Sequence, residues 1–391
     1  MRIKLISILL IGLLGTGWLT AFAQTEGVQV EYVTQQQGNS SVTYPQLSGM
    51  PNTFAQDTIN RSIMADGGIT SYLAMLSALT DPAATGLKVS AHAEILPAPM
   101  GNLLAVRMVA EGRIGPGRPG YAVTPLMYNL LTGQRVHAKD FFVDVSTAAG
   151  DIEAMIARDV ESDVSAYLSA GGLYPVPIKQ LLADEVGITF FYDQAQYTTL
   201  SGRSGAVHFL YDDLMPLLHT TPGSVLGDLL QKIPRAPSSE AAQAIAQTVQ
   251  TGTLPGLSIT LGVALDEVLV HYPMLTDPDG FPTGTKYQPE DASWRGTAFI
   301  EANGRVTGIL SNRASLYGLT TGKADRELVV QTLGQPVGSI ALDDQAAMQY
   351  GMVAGALESY AYQGNTLYFN YDADSTLRYI WLSLDESHQI G

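Results

Sequence analysis

The chain of 391 residues contains no cysteine. Disulfides, thiolate metal sites, cysteine nucleophiles and a thioacyl-linked lipid anchor are therefore chemically closed to it. Stability must come from packing alone. With 46% hydrophobic residues the chain can bury two ordinary cores, at roughly 100–200 residues per domain, so at least two domains are expected.

The N-terminus reads as a secretory signal. Arg2 and Lys4 precede an apolar run from Leu5 to Leu14, a Gly15-Thr16-Gly17 break follows, and Ala21-Phe22-Ala23 supplies a small-residue cleavage site before Gln24. The run is shorter than the ~20 residues of a bilayer span. Cleavage near Ala23/Gln24 would leave the mature protein periplasmic or secreted, with no membrane span. The formal charge of −16 becomes −18 once the two signal cations leave, and such a surface repels nucleic acid and anionic lipid.

Periodicity organises the remainder of the chain. Val28, Val30, Tyr32 and then Val42, Tyr44, Leu47 alternate around a Gly-Asn turn and predict a hairpin; Phe54, Ile59, Ile63, Tyr72, Leu73 and Leu76 predict two helical pieces broken at Gly67-Gly68. Strands are expected at 87–95, 103–114 and 121–129. A helix is expected over 151–169, strands at 188–192 and 206–211, and a short amphipathic piece at 213–218. Hairpins dominate, so the fold class is α+β: two domains, each a mainly antiparallel sheet packed with helices. The expected division is 24–220, a connection over 221–255 with short helices, and 256–391.

Within the second domain, Gly262 to Val270 can be laid on Gly322 to Val330, and Thr297 to Ser311 on Thr366 to Ser383. This suggests a two-fold internal repeat, each copy a short helix followed by an antiparallel pair of strands.

Motifs for chemistry are sparse. Gly115-Pro-Gly117-Arg-Pro-Gly120 spells a dinucleotide fingerprint, but its prolines remove donors and a strand follows, so a hairpin loop is the better account. The six histidines (His92, His137, His208, His219, His271, His388) show no metal-ligand spacing, and no metal or cofactor is expected. Asp277-Pro-Asp279-Gly280 begins like a calcium loop without the remaining ligands and reads as a turn. No serine-hydrolase elbow occurs, so no catalytic residue is assigned. A glycosidase would need only two carboxylates, which distant strands could supply, for instance Asp193 and Asp212.

Tyrosine is abundant, with 19 copies, and aromatic faces stack on sugar C–H surfaces. Phe190-Phe191-Tyr192 with Tyr197 forms one cluster along a strand; Tyr360, Tyr362, Tyr368, Tyr371 and Tyr379 near Trp381 form another. One face of each must be core and the other is a candidate platform. Tyr192 and Tyr197, with Arg203 in the Gly202–Gly205 turn as the cation, are the candidate ligand-binding residues.

Residues 28–218 resemble the paired domain-of-unknown-function families 4163 and 3298. The likeness is carried by Tyr44-Pro-Gln-Leu-Ser-Gly49, Asp57-Thr-Ile-Asn60, Tyr128-Asn-Leu-Leu-Thr-Gly133 with Asp140-Phe-Phe142, Phe191-Tyr192 with Gly205, and Tyr211-Asp-Asp-Leu214. These families form the extracellular part of a lysozyme-binding anti-sigma factor and an accessory region of a peptidoglycan deacetylase. Residues 256–388 resemble, more loosely, family 4309, through Glu327-Leu-Val-Val, Leu333-Gly-Gln-Pro336 and Leu367-Tyr-Phe-Asn-Tyr371. The resemblance implies a cell-envelope protein that binds peptidoglycan or another glycan, or a protein such as lysozyme, without catalysis. An envelope glycan hydrolase and a lysozyme-binding inhibitor module are the alternatives.

Overall fold

The computed structural model describes residues 28–80, 86–96, 101–112, 120–163, 173–199, 202–257, 259–271, 274–277, 280–289 and 296–384. The expected signal segment, most of the Gly115–Gly120 loop, Asp279, His388 and the end of the long helix past Asp163 lie outside the described residues.

The chain opens with the hairpin β1 (Gln29–Gln37) and β2 (Ser40–Ser48), turning through Gly38 at a φ of 59°. Helices α1 (Thr53–Asp66) and α2 (Ile69–Ser77) come next. Asn52 caps α1 by accepting the Ala55 N–H at 3.1 Å, and Gly68, at a φ of 69°, makes the break between the helices. Ile59 and Ile63 are buried as their spacing predicts, but Phe54 is 71% exposed.

Strands β3 (Lys88–Leu96), β4 (Leu103–Gly112) and β5 (Gly120–Asn129) complete a sheet of order β1-β2-β3-β4-β5. It is antiparallel except at β2–β3, where the α1–α2 crossover returns the chain in the same direction. Strands β4 and β5 are buried on both faces. Leu104, Val106, Met108, Leu126 and Tyr128 pack with α1 and α2, whereas Leu103, Ala105 and Met127 point the other way into a second core.

That second core is built from α3 (Ala138–Phe141), α4 (Val145–Asp163) and the three-stranded sheet β6 (Leu181–Ala183), β7 (Gly187–Phe191) and β8 (Ala206–Leu210). The long helix starts six residues before the expected 151, because Asp144 caps it by accepting the Thr147 N–H. The expected amphipathic piece is α5 (Tyr211–Leu214) and a single 3-10 turn. In the connecting segment, α6 (Val225–Lys232) sends Leu226 and Leu229 into the core of Phe190; α7 (Ser239–Thr251), capped by Ser238, sends Ile245 and Val249 into the core of the C-terminal sheet.

The C-terminal part holds α8 (Leu265–His271), β9 (Met274–Thr276), β10 (Thr285–Pro289), β11 (Thr297–Ala302), β12 (Arg305–Ser311), the small hairpin β13 (Ser315–Leu316) and β14 (Leu319–Thr320), α9 (Arg326–Leu333), β15 (Gly338–Leu342), α10 (Asp344–Tyr350), β16 (Gly355–Tyr362), β17 (Asn365–Tyr371) and β18 (Leu377–Leu384). Eight of these strands form one sheet in the order β15-β16-β17-β18-β12-β11-β10-β9.

This order is symmetric about the β12–β18 pair. Each half is a helix followed by four strands, the second with α10 inserted after β15, where the sequence similarity predicts a helix and two strands. The correspondence reaches single hydrogen bonds. Gly262 N–H donates to the Val306 carbonyl at 2.7 Å and Gly322 N–H to the Leu377 carbonyl at 2.7 Å; Leu265 N–H reaches Gly304 at 2.9 Å and Arg326 N–H reaches Ser375 at 3.0 Å. The α+β class with mainly antiparallel sheets is as expected.

Candidate functional site

The expected binding residues on and after β7 sit in the core. Tyr192 and Tyr197 are 2% and 0% exposed, meet edge to face at 5.5 Å, and the Tyr192 hydroxyl donates to the Leu173 carbonyl at 3.0 Å. Their faces do not form a stacking platform. The physical reason is that Tyr192 shares the sheet face of Ile188 and Phe190, with Leu181, Ala183, Val207 and Phe209 beside them, and that face packs in one core with residues of α4 and of the 173–178 segment. Gly205 records how closely the chain passes, since a Cβ there would lie 1.9 Å from the Tyr197 ring.

Arg203 reaches the outside, with 19% of its side chain exposed. Its guanidinium lies 5.4 Å from the Tyr121 ring centroid and 3.6 Å from Glu111 Oε1. The cation is thus engaged by Tyr121 and Glu111. Asp193 is exposed at the start of the following turn, whereas Asp212 accepts the Thr320 hydroxyl at 2.7 Å and lies 3.8 Å from Arg235. Among the described residues no cluster of metal-ligating side chains occurs.

The second aromatic cluster divides as alternation requires. Tyr360, Phe369 and Tyr371 pack on the face beneath α7, α8 and α9, whereas Tyr368, Tyr379 and Trp381 take the opposite face. There Tyr368 stacks on Trp381 with centroids 4.4 Å apart and planes at 20°, and Phe281 and Tyr350 meet Trp381 at 5.5 and 6.0 Å. Trp381 is buried, and its indole Nε1 has no hydrogen-bond partner among the described residues. Tyr350, Tyr368 and Tyr379 stay half-buried, and Asn312 Nδ2 lies 3.5 Å from the Tyr379 hydroxyl. The covering helix here is α10, seven residues long, so the face keeps aromatic rims beside open surface. Its residues are legible in the sequence, but which of them face outward is not.

A third group lies where the two halves meet, and no motif in the sequence points to it. Asp184 folds into a turn whose Oδ1 accepts the Val186 and Gly187 N–H groups at 2.8 and 2.7 Å; its Oδ2 lies 3.2 Å from His208 Nε2. The turn holds the adjacent Glu185 half-buried, where burial first, then the charges of Glu94 and Asp184, push its carboxyl up to about 7.

The partner comes from the other half. The β13–β14 hairpin turns at Tyr317 and Gly318, with φ of 50° and 99°, and Tyr317 donates its hydroxyl to Glu185 Oε2 at 3.4 Å. A left-handed tyrosine costs about 1 kcal/mol or more, and such outliers gather where the fold imposes a position. The Ala236 N–H holds the turn by donating to the Tyr317 carbonyl at 2.7 Å. Burial, with Glu185 as the next cause, raises the Tyr317 phenol to about 12, so it stays a donor. A protonatable carboxyl held by fixed neighbours can move a proton near neutral pH.

No protein-family model matches the chain, and no curated protein does. Solved structures similar to parts of it include a DUF3298 family member from Bacteroides fragilis, with 14% identity over 54% of this chain and 100% of that one, TM-score 0.42. A DUF3298 family protein from Pseudomonas aeruginosa has 11% identity over 51% of this chain and 96% of its own, TM-score 0.36. The DUF4309 family protein YjgB from Bacillus subtilis has 12% identity over 38% of this chain and 99% of its own, TM-score 0.27. Two of the domain-of-unknown-function families that the residues resemble, 3298 and 4309, are thus those of these structural neighbours.

Proposed function

We propose that the chain is a noncatalytic binding protein of the bacterial cell envelope, and that it holds glycan strands on the aromatic face of its C-terminal sheet. In this reading residues 1–23 are a removed export signal and residues 24–220 and 256–391 are separate domains. No helix among the described residues is long and apolar enough to cross a membrane.

The observation that carries the proposal is the half-buried rings of Tyr350, Tyr368 and Tyr379 around buried Trp381, with Tyr368 fixed by stacking on it. Flat rings fixed by packing offer sugar C–H surfaces a large apolar area at little entropic cost, and hydroxyls at the rim supply direction. Candidate residue Arg203 lies in the other half and is left out of the platform. Buried Tyr192 and Tyr197 support the fold instead.

Retention on purified peptidoglycan tests this. Tyr368→Ala with Tyr379→Ala should lower retention by roughly tenfold, the equivalent of about 1.4 kcal/mol, while circular dichroism stays native. Unchanged retention removes the aromatic face from the proposal.

A second reading, an envelope glycan hydrolase, has one observation in its favour. Burial and the neighbouring charges of Glu94 and Asp184 push the Glu185 carboxyl up to about 7, so it holds a proton part of the time near neutral pH, as a general acid or base must. Muropeptide release by the purified protein, abolished in Glu185→Gln, would select this reading over the first. The lysozyme-binding alternative is read by capture of lysozyme in the absence of glycan.

A further inference from the structure

We infer that the contact between Tyr317 and the Asp184–Val186 turn is a pH-operated latch, which holds the two halves of the chain together in mildly acidic solution and releases them above neutrality. Among the described residues, Tyr317 is the only side chain packed against both the core of Phe190 and the core of the C-terminal sheet. The chain itself passes between those cores within a few residues, since Ile233 belongs to the first and Ala236 packs on the second. A connection this short acts as a hinge, and the contacts beside it decide whether it is shut.

Those contacts are polar. Asp212 accepts the Thr320 hydroxyl at 2.7 Å and lies 3.8 Å from Arg235, and Asp213 pairs with Lys323 at 2.9 Å, at partly exposed positions where water replaces the partner at little cost. Glu185 is enclosed instead. Tyr317 reaches it from the β13–β14 hairpin, and Gly256 closes on the same turn so tightly that a Cβ there would lie 2.8 Å from Val186 Cγ2. The groups that face Glu185 bring it no lysine or arginine. Glu94 comes from β3, Asp184 from the same turn and the Tyr211 phenol from α5, while His208 of β8 is turned to Asp184 and α7 offers Thr248, in contact with Tyr317.

Shutting the joint therefore encloses one carboxyl beside two others, which favours its protonated form. Parting the halves returns it to water, where it ionises in the ordinary range. The closed form thus holds a proton that the open form gives up, and rising pH favours opening. With the enclosed carboxyl at about 7 and the hydrated one at 4.5, the open-to-closed ratio rises roughly 70-fold from about pH 5 to about pH 8. Tyr317 keeps its own proton over that range, its phenol pushed up to about 12, so Glu185 is the group that switches.

Because the chain has no cysteine, two labelling thiols can be placed without competitors. Fluorophores on Lys179→Cys and Glu327→Cys, exposed positions in the two halves, read the distance between them by single-molecule energy transfer in the intact protein. The expected result is a single short-distance population at about pH 5, a long-distance population that grows toward about pH 8, native circular dichroism at both, and a pH-independent ratio in Glu185→Gln. Glu94→Gln, at a partly exposed position, should shrink the response, because one like charge is gone. A distance that does not change with pH overturns the inference, and so does a change that persists in folded Glu185→Gln, which would place the switch on another group such as His208. Should Glu185→Gln not fold, a response undiminished in Glu94→Gln overturns it instead.

Discussion

Tyr317 donates its hydroxyl to Glu185 across 132 residues of sequence, and this bond joins the β13–β14 hairpin to the turn between β6 and β7. It brings a phenol held protonated and a carboxyl that titrates near neutrality into one contact between the halves. Thr248 of α7 contacts the same phenol at 3.2 Å. Lys323 and Asp213, paired at 2.9 Å, add an exposed link nearby.

Glu185 should make folding stability fall as pH rises. Its carboxyl sits near 7 in the fold against 4.5 for the unfolded reference, so the native state binds the extra proton between these values. The contribution is fully present below about pH 4.5 and lost through about pH 7; its ceiling is about 3 kcal/mol. Urea denaturation at pH 5 and pH 8 should show the difference, and Glu185→Gln should flatten it. Tyr317→Phe removes a donor that favours the carboxylate and should move the midpoint higher, observable in the carboxyl NMR titration of Glu185. A midpoint that drops in Tyr317→Phe contradicts the assigned bond.

The buried carboxylate of Glu358 depends on one cation. Glu358 is 0% exposed, and its Oε1 accepts from Arg326 Nε at 2.7 Å and Nη2 at 2.6 Å, while Oε2 has no partner among the described residues. Arg326→Ala strands that charge inside the sheet–helix layer and should cost about 3 kcal/mol or more. Glu358→Leu in the same background should recover most of the loss, because an apolar side chain needs no counter-ion. Chemical denaturation of the single and double variants checks both statements.

Gly205 should tolerate no side chain. Gly205→Ala puts a methyl 1.9 Å from the Tyr197 ring, which is wholly buried and has nowhere to swing. Overpacking of this kind costs about 1–3 kcal/mol or more, measurable as a lowered melting temperature. Tyr197→Leu should partly relieve it. An unchanged melting temperature for Gly205→Ala would mean that the loop from Tyr192 to Gly205 packs differently.

Local periodicity made the hairpin at Gly38, the helix break at Gly67-Gly68 and the short helices of the 221–255 connection readable in advance, since caps, turns and alternation act over a few residues. The repeat was readable too, but only as similarity between segments; that its halves each comprise four strands joined at β12–β18 emerged from pairing over long separations. The candidate site was less accessible. Tyr192 and Tyr197 alternate along the chain much as Tyr368 and Tyr379 do, yet the first pair is enclosed and the second borders open surface.

What the amino-acid order determined by itself was the chemistry closed to a cysteine-free acidic chain, and the α+β class, because composition and period are properties of short stretches. Which face of each sheet is covered, and that Glu185 meets Tyr317, were decided by the tertiary structure. Burial and desolvation depend on what packs against a residue, and those neighbours come from other parts of the chain, as Tyr317 does 132 positions from Glu185.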